Sequence, residues 1–334
     1  MKPVSDEQSV SEVMTTTSLW FEAAGRCRLR HETLAHPGKG ELVVRTLFSG
    51  ISRGTESLVF SGKVPVSEQA RMRGPNMGGS FPFPVKYGYA AVGRIETGPA
   101  DLMNRTVFCL HPHQDFFVIA ADQGAVLPET VPADRAILAA NMETALNIVW
   151  DAGIMPGDKV AVFGAGVVGS LIAFIASGIV GTETLLVDRD PGRARLAAKL
   201  GLGFVEASAL EGEFDVLINA SGSSEALESA IRHAGMEARI VEASWYGDRQ
   251  ASIPLGGAFH SRRLQIVSSQ VGAISAIRRP RWSFDRRMAK ALELLADTRL
   301  DALISGETDF RDLEAAYPHI LSSQDTLCHR IRYS

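Results

Sequence analysis

A glycine-rich segment has the spacing of a loop that holds the phosphates of a dinucleotide. It reads Gly164-Ala-Gly-Val-Val-Gly169 and follows a short apolar run that predicts a strand. Gly164 permits a tight turn, Gly166 lets the backbone approach a pyrophosphate, and Gly169 allows the next helix to pack closely on the strand. Free N–H groups at the start of that helix favour an anion. They include those of Val167 and Val168.

A carboxylate follows this loop at the distance that ribose recognition requires. Asp188 lies nineteen residues after Gly169, at the end of a predicted strand. A carboxylate there accepts hydrogen bonds from a ribose diol and repels a 2′-phosphate, so the pattern favours NAD over NADP. Arg189 and Arg193 keep NADP open as an alternative, because an arginine pairs well with a phosphate.

The elements around the loop predict a doubly wound parallel sheet, an α/β fold. After Pro132, strand-type runs alternate with helix-type periodicity, which is typical of parallel strands joined by crossover helices. The expected strands are residues 159–163, 184–187, 214–219, 238–243 and 264–268. The expected helices are residues 134–152, 167–177, 192–200 and 224–233.

The chain on either side of this unit shows a different pattern of predicted strands and helices. Residues 19–119 contain short β-type runs separated by Gly and Pro, which predicts a compact, mostly β domain. Beyond Gly272 we expect an amphipathic helix, a short β-like run and a final helix over residues 310–321. The apolar face of the amphipathic helix is expected to contain Met288, Ala291, Leu292 and Leu295.

Length and composition exclude several classes of protein. A chain of 334 residues with 46% hydrophobic and 22% charged residues is expected to form two globular domains. The formal charge of -4 argues against general nucleic-acid binding. The cysteines, Cys27, Cys109 and Cys328, are too few and too scattered for a disulfide framework or a four-cysteine zinc lobe.

The sequence also bears on targeting. Residues 1–16 are polar and lack the apolar core of a secretory signal, so we expect a flexible tail. The longest apolar stretch, residues 160–180, is interrupted by glycines and predicts a buried strand–turn–helix rather than a membrane span. We therefore expect a cytoplasmic protein with no membrane partner.

Three motifs and the order of the elements give the chain, from Leu19 to its end, a resemblance to the medium-chain dehydrogenase/reductase superfamily. Ser49-Gly-Ile-Ser-Arg-Gly-Thr-Glu56 occupies the place of that family's Cys-Gly-x-Cys-x-Thr-Asp segment. Gly88-Tyr-Ala-Ala-Val-Gly93 lies where zinc members carry Gly-His-Glu-x-x-Gly. Met142-Glu-Thr-Ala145 resembles the start of the helix that brings a threonine, here Thr144, to the nicotinamide.

The resemblance implies two domains and further cofactor contacts. A GroES-like, β-rich catalytic domain is expected over residues 17–137 and 273–334, and a Rossmann domain over residues 138–272. Ser221 ends the fourth strand of the Rossmann unit, where family members pass the cofactor. Residues 268–272 are similar to the segment that lines the nicotinamide and often pairs strands across a dimer, which implies a homodimer. The alternative for this segment and for Ser221 is a plain turn at the end of a strand.

The same motifs imply an enzyme without zinc. Zinc alcohol dehydrogenases take a catalytic ligand from each segment, a Cys, a His, and a Cys or Glu, whereas this sequence offers Ser52, Tyr89 and Ala140. None of these is a ligand that zinc prefers, and residues 98–108 are too short for the structural zinc lobe. Among zinc-less members, the segment from Ser49 most resembles that of bacteriochlorophyllide a dehydrogenase, which oxidises a secondary alcohol on a large tetrapyrrole.

Without a metal, a hydroxyl or an imidazole must polarise the substrate oxygen during hydride transfer. Tyr89 is the first candidate, as a hydrogen-bond donor in the reductive direction; the alternative is a core tyrosine that fills the vacated zinc space. Ser52 is the second candidate, as a proton relay; the alternative is a turn serine that bonds to backbone. Thr144 and Val168 are expected to position the nicotinamide, and the alternative for Thr144 is a helix cap.

Other polar residues have plainer interpretations. Thr55 and Glu56 are expected to line the pocket, although the acid could instead cap a helix or pair with Arg53. His111 and His113 are interpreted as ordinary loop residues.

Residues 278–287 contain five arginines and two aromatics. Such a cluster suits a nucleic acid, a solvated surface or the carboxylates of an anionic substrate. We interpret it as a solvated surface and expect no nucleic-acid partner. The expected partner is a small-molecule substrate, bulky or anionic.

Together these features predict a zinc-independent, NAD(H)-dependent oxidoreductase that interconverts an alcohol and a carbonyl. A quinone or enone reductase is the alternative within the same superfamily. A nucleotide-binding protein that has lost the chemistry is the alternative from another class.

Overall fold

The computed structural model describes residues 14–334, in which two halves are built on three sheets. The helices are α1 (Arg53–Phe60), α2 (Ala139–Ala152), α3 (Val167–Ser177), α4 (Ala194–Leu200), α5 (Ser224–His233), α6 (Phe284–Leu294) and α7 (Leu313–Ser322). The strands are β1 (Met14–Ala23), β2 (Arg26–Leu34), β3 (Glu41–Ser52), β4 (Gly78–Gly79), β5 (Val85–Lys86), β6 (Ala91–Thr97), β7 (Thr106–Cys109), β8 (Phe116–Ala120), β9 (Ala125–Val126), β10 (Lys159–Phe163), β11 (Glu183–Asp188), β12 (Gly203–Glu206), β13 (Phe214–Asn219), β14 (Ala234–Glu242), β15 (Gln265–Ser268), β16 (Ile304–Asp309) and β17 (Cys328–Arg332).

The β-rich half contains strands from both ends of the chain. A four-stranded sheet has the order β2-β1-β5-β4, and a seven-stranded sheet has the order β16-β17-β3-β6-β7-β9 with β8 paired to β3. The last strand, β17, runs antiparallel to β3 and places Cys328 opposite Ser52. The C-terminal segment therefore completes a sheet that the N-terminal segment begins.

The second half is an open parallel sheet of the order β12-β11-β10-β13-β14-β15. Its central strands are apolar on both faces, as expected for a sheet covered by helices on both sides. Val160, Val162, Leu217 and Ile218 are fully buried. The strand order reverses between β10 and β13, and ligands of such sheets bind at the carboxyl ends of the strands at that point.

The expected tail over residues 1–16 is wrong for residues 14–16, which belong to β1. Thr16 is buried, and its hydroxyl donates to Asp115 Oδ1 at 2.7 Å, so side-chain bonds to a distant loop hold the start of the strand. The remainder of the expected tail, residues 1–13, lies outside the described residues.

Several expected boundaries differ from the structure. The helix expected from residue 134 begins at Ala139, because residues 136–138 form a tighter 3₁₀ turn after Pro132. The strand expected from residue 238 begins at Ala234, directly after α5. The sequence did not predict β12 or β17, and the final helix is therefore followed by a strand.

The amphipathic helix was predicted correctly, since Met288, Ala291, Leu292 and Leu295 are all buried. They belong to the same hydrophobic cluster as residues of α2 and α3. All three cysteines are free and buried. Within residues 14–334, no helix has both the length and the apolar character needed to span a membrane.

Candidate functional site

The glycine-rich loop joins β10 to α3 at the carboxyl end of the parallel sheet. Gly164 has a φ of +103°, and a Cβ on it would lie 2.9 Å from Ser221 Cα. A Cβ on Gly169 would lie 1.9 Å from the carbonyl oxygen of Gly164, so a side chain fits at neither position. Gly166 is exposed, and its Cβ position has nothing within 4 Å. The loop is tightly packed at Gly164 and Gly169 and open at Gly166, where phosphates would approach.

The residues after Gly166 begin the helix that the sequence predicted. Val167 and Val168 form the first turn of α3 and are half-buried. The N–H groups of a first helical turn have no partner within the helix, so they can donate to an anion placed before them. The loop and the helix start can therefore hold a pyrophosphate.

Asp188 ends β11 beside this loop and binds its backbone. Its Oδ2 accepts a hydrogen bond from Ala165 N at 2.6 Å, and its Oδ1 accepts one from Asp190 N at 2.9 Å. Each carboxylate oxygen has two lone pairs, so the group can also accept from a ribose diol. Arg189, which follows it, is exposed.

A polar cluster that sequence reasoning missed fills the carboxyl ends of β13 and β14. Asn219 Nδ2 donates to Glu242 Oε2 at 2.7 Å, and the Tyr246 hydroxyl donates to the same oxygen at 3.2 Å. Ser221 Oγ donates to Asn219 Oδ1 at 2.6 Å. Burial raises the pKa of Glu242, and burial together with Glu242 raises the pKa of Tyr246 to about 12. The cluster holds Ser221 beside the glycine loop.

Thr144 lies in the interior of α2 rather than at its start. The expectation that residues 142–145 begin the helix is wrong, since α2 begins at Ala139. The Thr144 hydroxyl donates to the carbonyl oxygen of Ala140 at 2.9 Å, so it is not a helix cap. Its approach to a nicotinamide stays a prediction.

Ser52 and Tyr89 come from separate segments and meet in the structure. Ser52 ends β3 and precedes α1, and its hydroxyl makes no hydrogen bond to the helix backbone. Burial, and next the Glu56 carboxylate, raise the pKa of Tyr89 well above its ordinary value, while hydrogen bonds with the Ser52 and Thr55 hydroxyls act in the opposite direction. Tyr89 is therefore a protonated phenol at neutral pH and can donate a hydrogen bond.

Tyr89 lies at the seam between the two halves. It packs against a hydrophobic cluster that extends through both halves, with Phe108 from the β-rich half and Ala140 from the other, and also against a second cluster within the β-rich half. Trp245, from the loop after β14, packs against that second cluster. The carboxyl edge of the parallel sheet, which carries the glycine loop, and the Ser52–Tyr89 pair therefore both lie at the boundary between the two halves.

Glu56 is completely buried and connects the start of α1 to the rest of the β-rich half. Its Oε1 accepts a hydrogen bond from Ser52 N at 2.8 Å, which caps α1 and holds the backbone of Ser52. Its Oε2 faces His113 Nε2 at 3.0 Å. The alternative that Glu56 pairs with Arg53 is wrong, because Arg53 donates to the carbonyl oxygen of Ser323 instead.

The two histidines lie in the loop between β7 and β8, as the sequence indicated, but both are buried. His113 Nδ1 lies 2.8 Å from Ser49 Oγ, which in turn lies 2.9 Å from the Tyr333 hydroxyl. The Tyr317 hydroxyl donates to the same oxygen of Glu56 that His113 faces. His111 stacks on Phe117. These partners come from distant parts of the chain, and no local pattern reveals them.

The positions where the resemblance places a catalytic zinc do not provide suitable ligands. They offer the Ser52 hydroxyl, a protonated Tyr89 phenol and the Ala140 methyl group, and zinc prefers thiolate, imidazole or carboxylate. Cys328 lies opposite Ser52, but burial raises the pKa of its thiol to about 12. In the part of the chain that the structure describes, no group of three or more His, Cys, Asp or Glu side chains could hold a metal ion.

The sequence resembles curated oxidoreductases over part of its length. No family model matches it. D-xylulose reductase A from Aspergillus niger is 26% identical over 247 residues, which cover 67% of this chain and 66% of that relative. The match thus covers slightly less than two thirds of the curated relative.

Solved structures share the fold over nearly the whole chain. The short chain alcohol dehydrogenase rspB from E. coli CFT073, in complex with NADH, has a TM-score of 0.77 at 17% identity and covers 95% of this chain and 99% of its own. TarJ from S. aureus, in complex with NADPH, has a TM-score of 0.75 at 13% identity and covers 96% of this chain and 100% of its own. The predicted combination of a GroES-like, β-rich part and a Rossmann sheet is confirmed. By their names, the Aspergillus niger relative is a reductase and the E. coli rspB protein is an alcohol dehydrogenase.

Proposed function

We propose that this protein is a zinc-independent oxidoreductase that uses NAD(H) to interconvert an alcohol and a carbonyl. The observation that carries the proposal is the half-buried Tyr89 phenol, which meets the Ser52 hydroxyl at the boundary between the two halves and stays protonated at neutral pH. A nicotinamide cofactor supplies and accepts the hydride when it is bound. The protein then has to bind that cofactor, orient the substrate and stabilise charge on the substrate oxygen.

Tyr89 is proposed to donate a hydrogen bond to the carbonyl oxygen in the reductive direction. Its raised pKa makes it a poor base, so donation suits it better than proton abstraction. Ser52 is proposed to orient the phenol and to pass a proton towards solvent. Glu56 holds the backbone of Ser52 and thereby positions it.

Cofactor binding is proposed to involve the loop glycines, the first turn of α3 and the acid after β11. Gly166 leaves room for the pyrophosphate, and Asp188 accepts hydrogen bonds from the adenosine ribose. Its negative charge supports NAD over NADP. Ser221 and Thr144 are proposed to contact the nicotinamide half of the cofactor.

The domain boundaries and the assembly remain part of this proposal. We propose a catalytic domain over residues 17–137 and 273–334 and a Rossmann domain over residues 138–272. The pairing of β17 with β3 supports a discontinuous first domain. A homodimer, a cytoplasmic location and a bulky or anionic small-molecule substrate are proposed on the resemblance described above.

The test is a panel of secondary alcohols with NAD⁺ and of ketones and enones with NADH. Reduction of ketones supports the proposal, and reduction of enones alone would support the enone reductase instead. Tyr89→Phe should lower kcat about 100-fold, the usual contribution of a positioned proton donor, while NADH affinity stays the same. Tyr87→Phe, which removes a neighbouring buried phenol hydroxyl, is the matched control.

Three results would overturn the proposal. Unchanged turnover in Tyr89→Phe would remove Tyr89 from the reaction. Cofactor binding without turnover across the whole panel would indicate a protein that has lost the chemistry. Stoichiometric zinc in the purified, active protein would overturn the metal-free mechanism.

A further inference from the structure

Arg287 is a buried cation inside a segment that the sequence indicated to be a solvated surface. Its side chain is 2% exposed, and its partner Glu143 on α2 is 7% exposed. Arg287 Nε donates to Glu143 Oε1 at 3.0 Å. Burying two charges costs free energy that their attraction only partly returns. The pair is therefore weak evidence that Arg287 serves only to stabilise the fold.

The other donors of Arg287 reach beyond this ion pair. Its Nη1 donates to Asn147 Oδ1 at 2.7 Å, and its Nη2 donates to the carbonyl oxygen of Val271 at 2.7 Å. A guanidinium presents its donors in a fixed fork, so these bonds set the position of Val271 relative to α2.

Helix α2 binds the chain around Val271 at two further points. Glu143, Asn147 and Asp151 are spaced four residues apart and share one face of the helix. Asn147 Oδ1 accepts a hydrogen bond from Ser275 N at 3.3 Å, and Asp151 Oδ2 accepts one from Ser269 Oγ at 2.6 Å. Residues 269–275, which contain no helix or strand, are therefore held by side chains of α2 and by Arg287.

This segment lies at the edge of the sheet where a dinucleotide would end. It follows β15 directly, and Ser269 N donates to the carbonyl oxygen of Glu242 at 3.2 Å, at the carboxyl end of β14. A dinucleotide spans the two halves of such a sheet. Asp188, on β11, marks the half that takes the adenosine ribose, so the nicotinamide falls on the side of β13, β14 and β15.

We propose that Arg287 is a positioning residue that holds residues 269–275 in the shape that receives the nicotinamide half of the cofactor. The inference rests on the proposed use of a nicotinamide cofactor. Arg287 touches neither the cofactor nor the substrate in this role and acts through the Val271 carbonyl and through Asn147.

The test compares the affinity of the full-length protein for NADH with its affinity for ADP-ribose, which lacks the nicotinamide. Arg287→Lys keeps the charge beside Glu143 but loses the fork. We expect NADH to bind about tenfold more weakly, which is the loss expected for one hydrogen bond from a charged group. The affinity for ADP-ribose should stay within about twofold of wild type. Asp151→Ala, which releases Ser269, should weaken NADH binding in the same selective way and tests the idea if Arg287→Lys fails to fold.

Arg135→Lys is the matched control. Arg135 is also buried, and its Nε and Nη2 donate to the carboxylate of Asp301 at 2.6 and 2.8 Å, but its other bonds go to the carbonyls of Leu295 and Ala296. Arg135→Lys should lower the melting temperature without changing the ratio of the NADH affinity to the ADP-ribose affinity.

Two results would overturn the inference while leaving the proposed function intact. One is equal loss of NADH and ADP-ribose binding in Arg287→Lys, and the other is a folded variant with unchanged NADH affinity. If the wild-type protein binds no NADH at all, the proposed function fails first and the inference fails with it.

Discussion

His113 Nε2 lies 3.0 Å from Glu56 Oε2, and neither side chain is exposed to solvent. The same carboxylate accepts a hydrogen bond from Ser52 N, so the pair lies directly behind a residue of the candidate site. A buried carboxylate that loses a partner keeps its desolvation cost, so removing one partner lowers the free energy of unfolding strongly.

We therefore expect coupling between these two positions in a double-mutant cycle. His113→Phe and Glu56→Leu should each lower the free energy of unfolding by about 3 kcal/mol, because each removes the contact between the ring and the carboxylate while the other group stays buried. The double variant should be more stable than the sum of the single effects by about 1–3 kcal/mol. Urea unfolding at neutral pH measures all four proteins.

The exposed pair Arg45–Glu96 provides the control for this cycle, with side chains 53% and 36% exposed. Its coupling should stay below about 1 kcal/mol. Additive effects at positions 56 and 113 would mean that the ring and the carboxylate do not act as a unit.

The glycine loop predicts opposite outcomes for two similar substitutions. Gly166→Ala should leave the melting temperature unchanged, because the added methyl group meets nothing within 4 Å and Gly166 has a φ of -78°. It should weaken NADH binding about tenfold or more, because the methyl group occupies space that the pyrophosphate requires.

Gly169→Ala should do the reverse and destabilise the fold, because its methyl group would lie 1.9 Å from the Gly164 carbonyl oxygen. Thermal melting and NADH titration on both variants separate the two effects. Full NADH affinity in Gly166→Ala would place the phosphates elsewhere.

Local patterns predicted the parts of the fold that depend on neighbouring residues. The glycine loop and the helices α3 and α5 agree with the sequence-based bounds, because their turns, caps and apolar periodicity lie within a few residues of one another. The edge strand β12 was missed because it is only four residues long and half-exposed.

The parts that sequence could not predict depend on contacts between distant residues. The Tyr317 hydroxyl and Glu56 are 261 positions apart in sequence, and Arg287 and Glu143 are 144 apart. Charged residues are rarely buried without a partner, so Arg287 in an arginine-rich segment indicates a surface until its partners are known.

Asp188 is expected to decide between the two cofactors. The wild-type protein should bind NADH at least about tenfold more tightly than NADPH, because the carboxylate repels the 2′-phosphate. Asp188→Ser should bring the two affinities within about threefold of each other, mainly by weakening NADH binding. The measurement is titration of both cofactors with both proteins, and a wild-type preference for NADPH would contradict the assignment.

His111 should make the protein less stable in mild acid. Burial lowers the pKa of its imidazole to about 3, with Lys86 and His113 acting in the same direction and the Pro112 carbonyl opposing them. In the unfolded chain the pKa returns to about 6.5. Between these values the unfolded chain binds a proton that the native protein does not, so stability is complete above pH 6.5 and falls as the pH is lowered.

The contribution of His111 should fall by about 1.4 kcal/mol per pH unit below about pH 6. His111→Gln should therefore flatten the acid limb of the stability profile, although it also loses the ring stacking on Phe117. Urea unfolding at pH 7.5, 6.5 and 5.5, compared with His260→Gln at an exposed histidine, measures the difference in slope. Parallel profiles for wild type and His111→Gln would show that the native protein admits the proton at this ring.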